Sequence, residues 1–384
     1  MSIITLDRVP TISSGVGALD SIGAAVKALT RPGAHTLLVV DRGLAATGFI
    51  QVAETSLKGA GLGVTVFDDV KSDPSMAEVD AAADIARREQ AAAVVSIGGG
   101  SVMDAGKSVA AIAAGTEPAS HYGLSANPFP APRLASVCIP STSGTGAETT
   151  RTAVLSNADH AKIWLWGDEL KPDLVILDPR LTASLPPHLT AATGVDALVH
   201  AIEAATNANA NALNNAYCHE AIRLVVRHLP RAMEAPGDLE ARAGLQWAAT
   251  LAGIGIDNCG TAIAHNIGHA LASLRPVHHG RAVGLAMMAT LPWNVVGDDA
   301  LFAAVAAAMG ETGGAEAVPA AFNRLVRAVG VKTTLQGEGH DVTAEQLAIQ
   351  MGKPENAAMR RSNRRPVGDD DLHIFARAVL MELN

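Results

Sequence analysis

Short apolar runs alternate with helix-like stretches through the first half of the chain, and this alternation restricts the fold more than any other feature. The runs lie at residues 35–41, 64–68, 92–97, 134–140 and 173–178. Between them, stretches such as residues 74–90 repeat apolar residues at helical spacing, and Pro74 suits a helix start. Strands that are joined by helices form parallel sheets. The first half is therefore predicted to be an α/β domain built on a parallel sheet.

The pattern changes near residue 185. Pro186 and Pro187 interrupt the chain there, and the residues that follow read as Ala- and Leu-rich helices without a clear strand. We therefore predict two domains, an α/β domain over residues 1–185 and an all-helical domain over residues 186–384.

Composition and charge exclude several classes of protein. The chain has 29 Lys and Arg against 38 Asp and Glu, a formal net charge of −9, which argues against a nucleic acid or an anionic membrane as partner. No apolar run approaches the ~18 residues that span a bilayer, and the first residues lack the pattern of a secretory signal. Cys138, Cys218 and Cys259 lie far apart, as expected of core residues in a reducing compartment. We expect a cytoplasmic protein.

A glycine-rich segment follows the third predicted strand. Gly98, Gly99, Gly100 and Ser101 precede a helical pattern, and the free N–H groups at a helix start hold phosphate well. The segment is neither a GxGxxG fingerprint nor a P-loop, and a βα turn without any ligand is the alternative interpretation.

Two further features support a nucleotide site. Residues 140–146, PSTSGTG, follow the next strand with hydroxyl groups that can donate to phosphate or ribose, although turn chemistry explains some of them. Asp41 ends the first predicted strand, where an acidic side chain in a dinucleotide fold accepts the ribose hydroxyls. A carboxylate there repels a 2′-phosphate, so we expect NAD(H) to be preferred over NADP(H), while Arg42 beside it weakens that argument.

Candidate metal ligands occur in two stretches of the second half, residues 196–200 and residues 265–280. Asp196 and His200 stand four residues apart, on one helix face and about 6 Å from each other, among apolar neighbours. His265 and His269 repeat that spacing, and a third histidine segment, residues 278–280, follows shortly after. Imidazole and carboxylate together suit divalent first-row metals. For any single histidine, a structural role is the simpler explanation. The combined pattern nevertheless predicts a metal site. The spacing alone does not say which histidine lies outside that site.

With these motifs in place, the chain resembles the iron-containing (group III) alcohol dehydrogenases along essentially its whole length. GGGSVMDAGK at residues 98–107 resembles the family pattern GGGSxxDxxK, and PSTSGTGAE at residues 140–148 resembles PTTxGTxAE. TGVDALVHAIE at residues 193–203 and residues 258–280 are similar to the two signature segments of the family.

The resemblance implies a fold, a cofactor and a set of site residues. It implies an N-terminal dinucleotide-binding α/β domain, an all-α C-terminal domain and an active site in the cleft between them. It implies that Asp196, His200, His265 and His279 hold Fe(II), or Zn(II) in its place, and that His269 lies near the nicotinamide and moves a proton. The matching cofactor positions are Asp41, Asp73, Gly99, Gly100, Ser101, Asp104, Ser141, Thr142, Thr145, Lys162 and Leu181.

The implied activity is reversible hydride transfer between a primary alcohol or its aldehyde and NAD(H) in a homo-oligomer, a homodimer for preference. Thr261, Ala262 and Ala270 depart from the family pattern and put the substrate in question. A dehydroquinate-synthase-type cyclase or lyase is an alternative, which Asp196 disfavours because that class uses Glu. A metal-independent maleylacetate-reductase-like enzyme and a metal-dependent interaction protein without turnover are further alternatives.

Two arginines raise a question about substrate charge. Arg151 directly follows residues 140–150, PSTSGTGAETT, and Arg275 lies four residues before His279. Most arginines point to solvent or pair with carboxylates, but one buried in a cleft needs a counter-charge. A guanidinium binds a carboxylate or sulfonate through two hydrogen bonds, so we predict a preference for anionic alcohols.

Overall fold

The computed structural model describes residues 3–296, 299–335 and 342–380. The chain forms two compact units. The sheet unit comprises Arg8–Thr142 and Ala147–Leu185, and the helical unit comprises Met1–Asp7, Ser143–Gly146 and Pro186–Asn384.

The sheet unit contains a six-stranded, all-parallel sheet, which confirms the predicted fold class. Its strands in chain order are β1 (Thr11–Ser14), β2 (His35–Val40), β3 (Gly63–Phe67), β4 (Ala91–Gly98), β5 (Ala135–Pro140) and β8 (Leu174–Leu177). Their order in the sheet is β1-β8-β5-β4-β2-β3. Two strands, β6 (Thr152–Ser156) and β7 (Lys162–Trp166), form a separate antiparallel hairpin.

Helices cover both faces of this sheet. They are α1 (Ile22–Leu29), α2 (Phe49–Gly59), α3 (Met76–Arg88), α4 (Gly100–Ile112) and the short α5 (Arg180–Ala183). In β2, Leu37 and Val39 belong to the core shared with α3 and α4, whereas Leu38 and Val40 belong to the core shared with α1 and α2. A strand buried on both faces reads as a continuous apolar run, which is why the four internal strands β2, β4, β5 and β8 were recognisable in the sequence; the edge strand β3 was recognised although it is only partly buried.

Three of the eight strands are missing from the sequence prediction. Strand β1 is a largely exposed edge strand with the sequence TISS, so it carries little hydrophobic signal. The hairpin of β6 and β7 joins two short strands, TAVLS and KIWLW, around a turn in which Asn157 accepts hydrogen bonds from the N–H groups of Asp159 and Ala161. Helix α3 also begins later than Pro74 suggests, because Ser75 forms a capping box with Glu78.

The helical unit surrounds one long buried helix. Its helices are α6 (Pro187–Thr206), α7 (Ala212–Glu234), α8 (Leu239–Cys259), α9 (Ile263–Leu274), α10 (His279–Val295), α11 (Asp299–Ala308), α12 (Val318–Ala328), α13 (Ala344–Met351), α14 (Ala357–Ser362) and α15 (Asp369–Leu380). From residue 190 to its end, every residue of α6 is buried, and α7, α8 and α10 pack against it. As predicted, the described residues of this unit form no strand.

The three cysteines are free and buried, as the sequence predicted. Among the described residues, no helix is both long and apolar enough to cross a membrane.

Candidate metal and nucleotide sites

Four of the candidate metal ligands converge in the helical unit. Asp196 and His200 stand one turn apart on α6, His265 lies in the first turn of α9, and His279 is the first residue of α10. One potential ligand atom from each of the four residues lies within 4.8 Å of the other three. The Asp196 carboxylate is central, with its Oδ1 at 3.8 Å from His200 Nδ1, 3.8 Å from His265 Nε2 and 3.6 Å from His279 Nε2.

A glycine makes the approach of α10 to α6 possible. A Cβ at Gly280 would lie 2.2 Å from the carbonyl oxygen of Ala192 and 3.1 Å from Cβ of Asp196. Because no side chain fits there, α10 starts directly against α6 and brings His279 to the carboxylate. Glycine at this position thus has a packing reason that its sequence context alone did not reveal.

The electrostatics of the cluster suit a cation. Burial, followed by the charge of Glu203, raises the pKa of Asp196 to about 8, and burial lowers the pKa of His265 to about 3. Burial likewise holds the pKa values of His200 and His279 well below the usual range. Asp196 Oδ1 and His265 Nε2 are buried without a hydrogen-bond partner. Neutral imidazoles and a carboxylate that lacks a positive partner form the donor set that a divalent metal fits.

His269 lies beside this cluster and outside the group of four. Its ring is half-buried, with its centroid 5.3 Å from that of His279 and 6.2 Å from that of His265. His278, the other histidine of the third segment, is exposed. The geometry thus separates the histidines that spacing alone left equivalent.

One residue of the site escaped the sequence analysis. Glu203 lies on α6, three residues after His200 and seven after Asp196, so it shares their helix face. Its carboxylate is 4% exposed and lies at hydrogen-bond distance, 2.6 Å, from His265 Nδ1. An acidic residue inside an otherwise apolar helix was the available signal.

In the sheet unit, several predicted cofactor residues lie where β2, β4 and β5 end. Strand β4 ends at Gly98, Gly99 is the N-cap of α4, and Gly100 and Ser101 are in its first turn. The N–H of Ser141 donates to Gly98 at 2.9 Å, and the Thr142 side chain is within 3.6 Å of where a Cβ on Gly99 would lie. The N–H of Asp41 donates to the carbonyl of Ile97, the residue before Gly98, at 3.0 Å.

Three further predicted cofactor residues form a polar cluster. The N–H of Asp73 donates to Ser101 Oγ at 3.3 Å, and the Asp73 carboxylate is 2.6 Å from Lys162 Nζ. Asp73 has a positive φ of 61°, an uncommon backbone conformation for a residue other than glycine. Asp73, Ser101 and Lys162 are thereby held together in one cluster.

Three predicted positions lie elsewhere. The Asp104 carboxylate accepts a hydrogen bond from the Val154 N–H and contacts Lys107 Nζ at 3.2 Å, and burial raises its pKa. Leu181 is 1% exposed and packs in the core shared with α1 and α2. Thr145 belongs to the helical unit. These placements favour structural roles for the side chains of Asp104 and Leu181.

The two arginines that suggested an anionic substrate differ in their surroundings. Arg151 Nη1 lies 3.3 Å from the exposed Asp168 carboxylate, and its guanidinium is 5.1 Å from the ring centre of Trp166. That arrangement matches the simpler expectation of a carboxylate pair. Arg275 is 6% exposed and follows the last residue of α9.

Comparison with known proteins gives consistent matches along the chain. The family model described as iron-containing alcohol dehydrogenase matches residues 10–179, and the C-terminal model of the Fe-containing alcohol dehydrogenase family matches residues 190–379. An NAD-dependent methanol dehydrogenase of Bacillus methanolicus is 32% identical over 321 residues, which cover 83% of this chain and 84% of that protein.

Solved structures agree with the sequence matches. A 1,3-propanediol oxidoreductase has a TM-score of 0.90 at 32% identity, with 97% of this chain and all of that chain covered. A sulfoacetaldehyde reductase from Bifidobacterium kashiwanohense, solved in complex with NAD+, has a TM-score of 0.89 at 27% identity and covers 99% of both chains. These matches and the convergent Asp196, His200, His265 and His279 confirm the resemblance seen in the sequence: the chain belongs to the iron-containing alcohol dehydrogenase family and is an oxidoreductase.

Proposed function

We propose that the protein transfers hydride reversibly between a primary alcohol or its aldehyde and NAD(H), with a divalent metal held by Asp196, His200, His265 and His279. The observation that carries this proposal is the approach of four ligand atoms to within 4.8 Å in the helical unit. Family membership supplies the reaction class, and the cluster supplies the chemistry that the reaction needs.

Fe(II) is the expected metal because the family is iron-containing, and Zn(II) also suits three imidazoles and a carboxylate. When bound, such a metal supplies a Lewis acid that polarises an alcohol or aldehyde oxygen. The four side chains provide three neutral donors and one negative charge, which leaves a net positive site for that oxygen. The presence of all four ligands disfavours a metal-independent reductase, and Asp196 disfavours the dehydroquinate-synthase class.

The sheet unit provides the proposed NAD site. The N–H groups at the start of α4, with the hydroxyls of Ser141 and Thr142, are suited to hold the diphosphate. Asp41 has one carboxylate oxygen bonded to the Gly43 N–H at 2.8 Å, and the other oxygen remains suited to a ribose hydroxyl. Asp73, Ser101 and Lys162 extend this polar surface. Gly99, Gly100, Asp104, Thr145 and Leu181 complete the proposed contacts, Asp104 and Leu181 through their backbone or by supporting neighbours.

His269 is proposed to move the proton that accompanies hydride transfer. Oxidation of an alcohol releases one hydride to the nicotinamide and one proton, and the proton needs a path to solvent. His269 is half-buried beside His279, so its imidazole can accept the proton on the inner side and release it outward.

The relatives suggest the substrate class and the setting. Methanol, 1,3-propanediol and sulfoacetaldehyde appear in the names of proteins similar to this chain, so a short-chain alcohol or aldehyde is proposed. We also propose a cytoplasmic homo-oligomer, as the sequence analysis expected.

The test is a spectrophotometric assay of the purified protein. The full chain is loaded with Fe(II) or Zn(II) and incubated with NAD+ and a panel of short primary alcohols, while absorbance at 340 nm reports NADH. We expect metal-dependent NADH formation with at least one alcohol, suppressed by a chelator. Absence of turnover in both directions across the panel, or turnover that a chelator leaves unchanged, contradicts the proposal.

A further inference from the structure

The starting observation is a carboxylate that touches a metal-ligand candidate, Glu203, the last residue of the TGVDALVHAIE segment, to which no role has been given above. Glu203 lies near the end of α6 and contacts three nitrogen atoms. It accepts from the backbone N–H of Ala262 at 2.8 Å and from the N–H of Ala264 at 2.7 Å, and its carboxylate lies 2.6 Å from His265 Nδ1. All three nitrogen atoms are at the beginning of α9.

The first two contacts replace a missing helix cap. The N-cap of α9 is Ala262, whose side chain cannot accept a hydrogen bond, so the first N–H groups of α9 need an acceptor from elsewhere. Glu203 provides it, and a negative charge at a helix N-terminus is also favoured by the helix dipole. The carboxylate thus fixes the start of α9 against α6.

The third contact determines where the His265 imidazole carries its proton. Both carboxylate oxygens of Glu203 already accept backbone N–H groups, so the carboxylate faces His265 as an acceptor, and Nδ1 must be the protonated nitrogen. The other nitrogen, Nε2, then carries a free lone pair. That atom is buried, has no hydrogen-bond partner and lies 3.8 Å from Asp196 Oδ1.

We propose that Glu203 is a positioning residue that sets the His265 tautomer and orientation so that Nε2 is presented for metal binding. The inference rests on the proposed metal site, because the free nitrogen has a function only if Asp196 and its neighbours bind a metal. Residues that hold a ligating histidine in this way raise metal affinity without touching the metal.

The first experiment needs no metal. Nitrogen-15 NMR of the imidazoles in the metal-free full-length protein distinguishes protonated from unprotonated ring nitrogens, and a His265→Ala sample assigns the signal. We expect the proton of His265 on Nδ1 in the wild type. A proton on Nε2 overturns the proposal, and this result does not depend on whether the protein binds metal.

The second experiment compares Glu203→Gln with Asp238→Asn. Asp238 caps α8 by accepting from the Ala241 N–H at 3.0 Å and pairs with Arg231 at 2.8 Å, but it has no contact with a histidine of the cluster, so the same chemical change there affects a cap and an ion pair away from the proposed metal site. Zn(II) affinity is measured by competition with a chromophoric chelator, and unfolding is followed in parallel. We expect Glu203→Gln to weaken Zn(II) binding about ten- to a hundredfold, and Asp238→Asn to leave it unchanged.

The outcomes separate the two proposals. If Glu203→Gln lowers only the unfolding midpoint and keeps wild-type Zn(II) affinity, Glu203 is a helix cap and the positioning role is wrong. If the wild type itself fails to bind Fe(II) or Zn(II), the proposed metal function fails, while the NMR result still tests the tautomer. If Glu203→Gln does not fold, the tautomer of the wild type decides the question.

Discussion

In the sheet unit, most of the residues assigned to NAD lie at strand ends and in the segments that follow, and much of the proposed binding uses backbone N–H groups. In the helical unit, the residues assigned to metal stand on helices packed together, and all of the proposed ligands are side chains. A backbone site depends on the path of a loop and tolerates many side-chain changes. A side-chain site depends on each residue separately, and on neighbours such as Glu203 that hold it.

The largest effect should come from removing one metal ligand. We expect His279→Ala to abolish both bound metal and activity with the fold retained, because a carboxylate and two imidazoles leave the site open. His269→Ala should retain metal and lose rate, and His278→Ala, at an exposed neighbour, should change neither. Elemental analysis after gel filtration measures the metal. Wild-type metal content in His279→Ala would show that the ligand assignment is wrong.

The second prediction tests whether the sheet unit also has an indispensable side chain. Lys107 is fully buried, and its ammonium donates to the carbonyls of Ala147, Thr150 and Thr152 at 2.8, 3.3 and 2.6 Å. It also lies 3.2 Å from Asp104 Oδ1. Lys107→Met leaves these acceptors and a buried carboxylate without their partner, which costs about 3–5 kcal/mol of unfolding free energy.

Chemical denaturation of the metal-free protein measures this cost. Lys58→Met is the matched control, because Lys58 forms an exposed ion pair with Glu54 on α2, and its loss is expected to cost at most about 0.5 kcal/mol. Equal stabilities of the two variants would mean that the loop after β5 is held by its backbone alone.

The contrast also explains which parts of the fold and of the candidate site could be predicted from the sequence. The strands at the centre of the sheet and the i,i+4 pairs of α6 and α9 are local patterns, so the parallel sheet and a metal site among these histidines were predictable, whereas the choice of His279 over His269 came only from the family resemblance. Glu203 depends on the packing of α9 against α6, and the role of Gly280 depends on the distance between α10 and α6. Relations between distant segments leave no periodic signal. Asp104 and Leu181 were assigned to the cofactor from a motif match, and only the structure shows their side chains engaged in the interior.

The third prediction concerns the choice of cofactor. Asp41 directly follows β2, and the Arg42 guanidinium, a candidate partner for a 2′-phosphate, forms ion pairs with Asp68 at 3.3 Å and Asp69 at 3.8 Å. We therefore expect a preference for NAD(H) over NADP(H). We expect Asp41→Gly to reduce that preference about tenfold, because the variant lacks one charge-assisted hydrogen bond to the ribose. The ratio of kcat/KM for the two cofactors measures this. Equal use of both by the wild type would contradict the assignment of Asp41.

The smallest effect is expected at Arg275, a buried arginine of the helical unit. Arg275 is 6% exposed and lies four residues before His279, so a carboxylate or sulfonate on a short alcohol is a suitable partner for its guanidinium. We expect the wild type to turn over 4-hydroxybutyrate with a higher kcat/KM than 1-butanol, and Arg275→Ala to reduce that ratio several-fold. Arg151→Ala is the matched control, because Asp168 and Trp166 already engage that guanidinium. A preference of the wild type for butanol, or the same loss of selectivity in both variants, would leave a general dehydrogenase of small neutral alcohols.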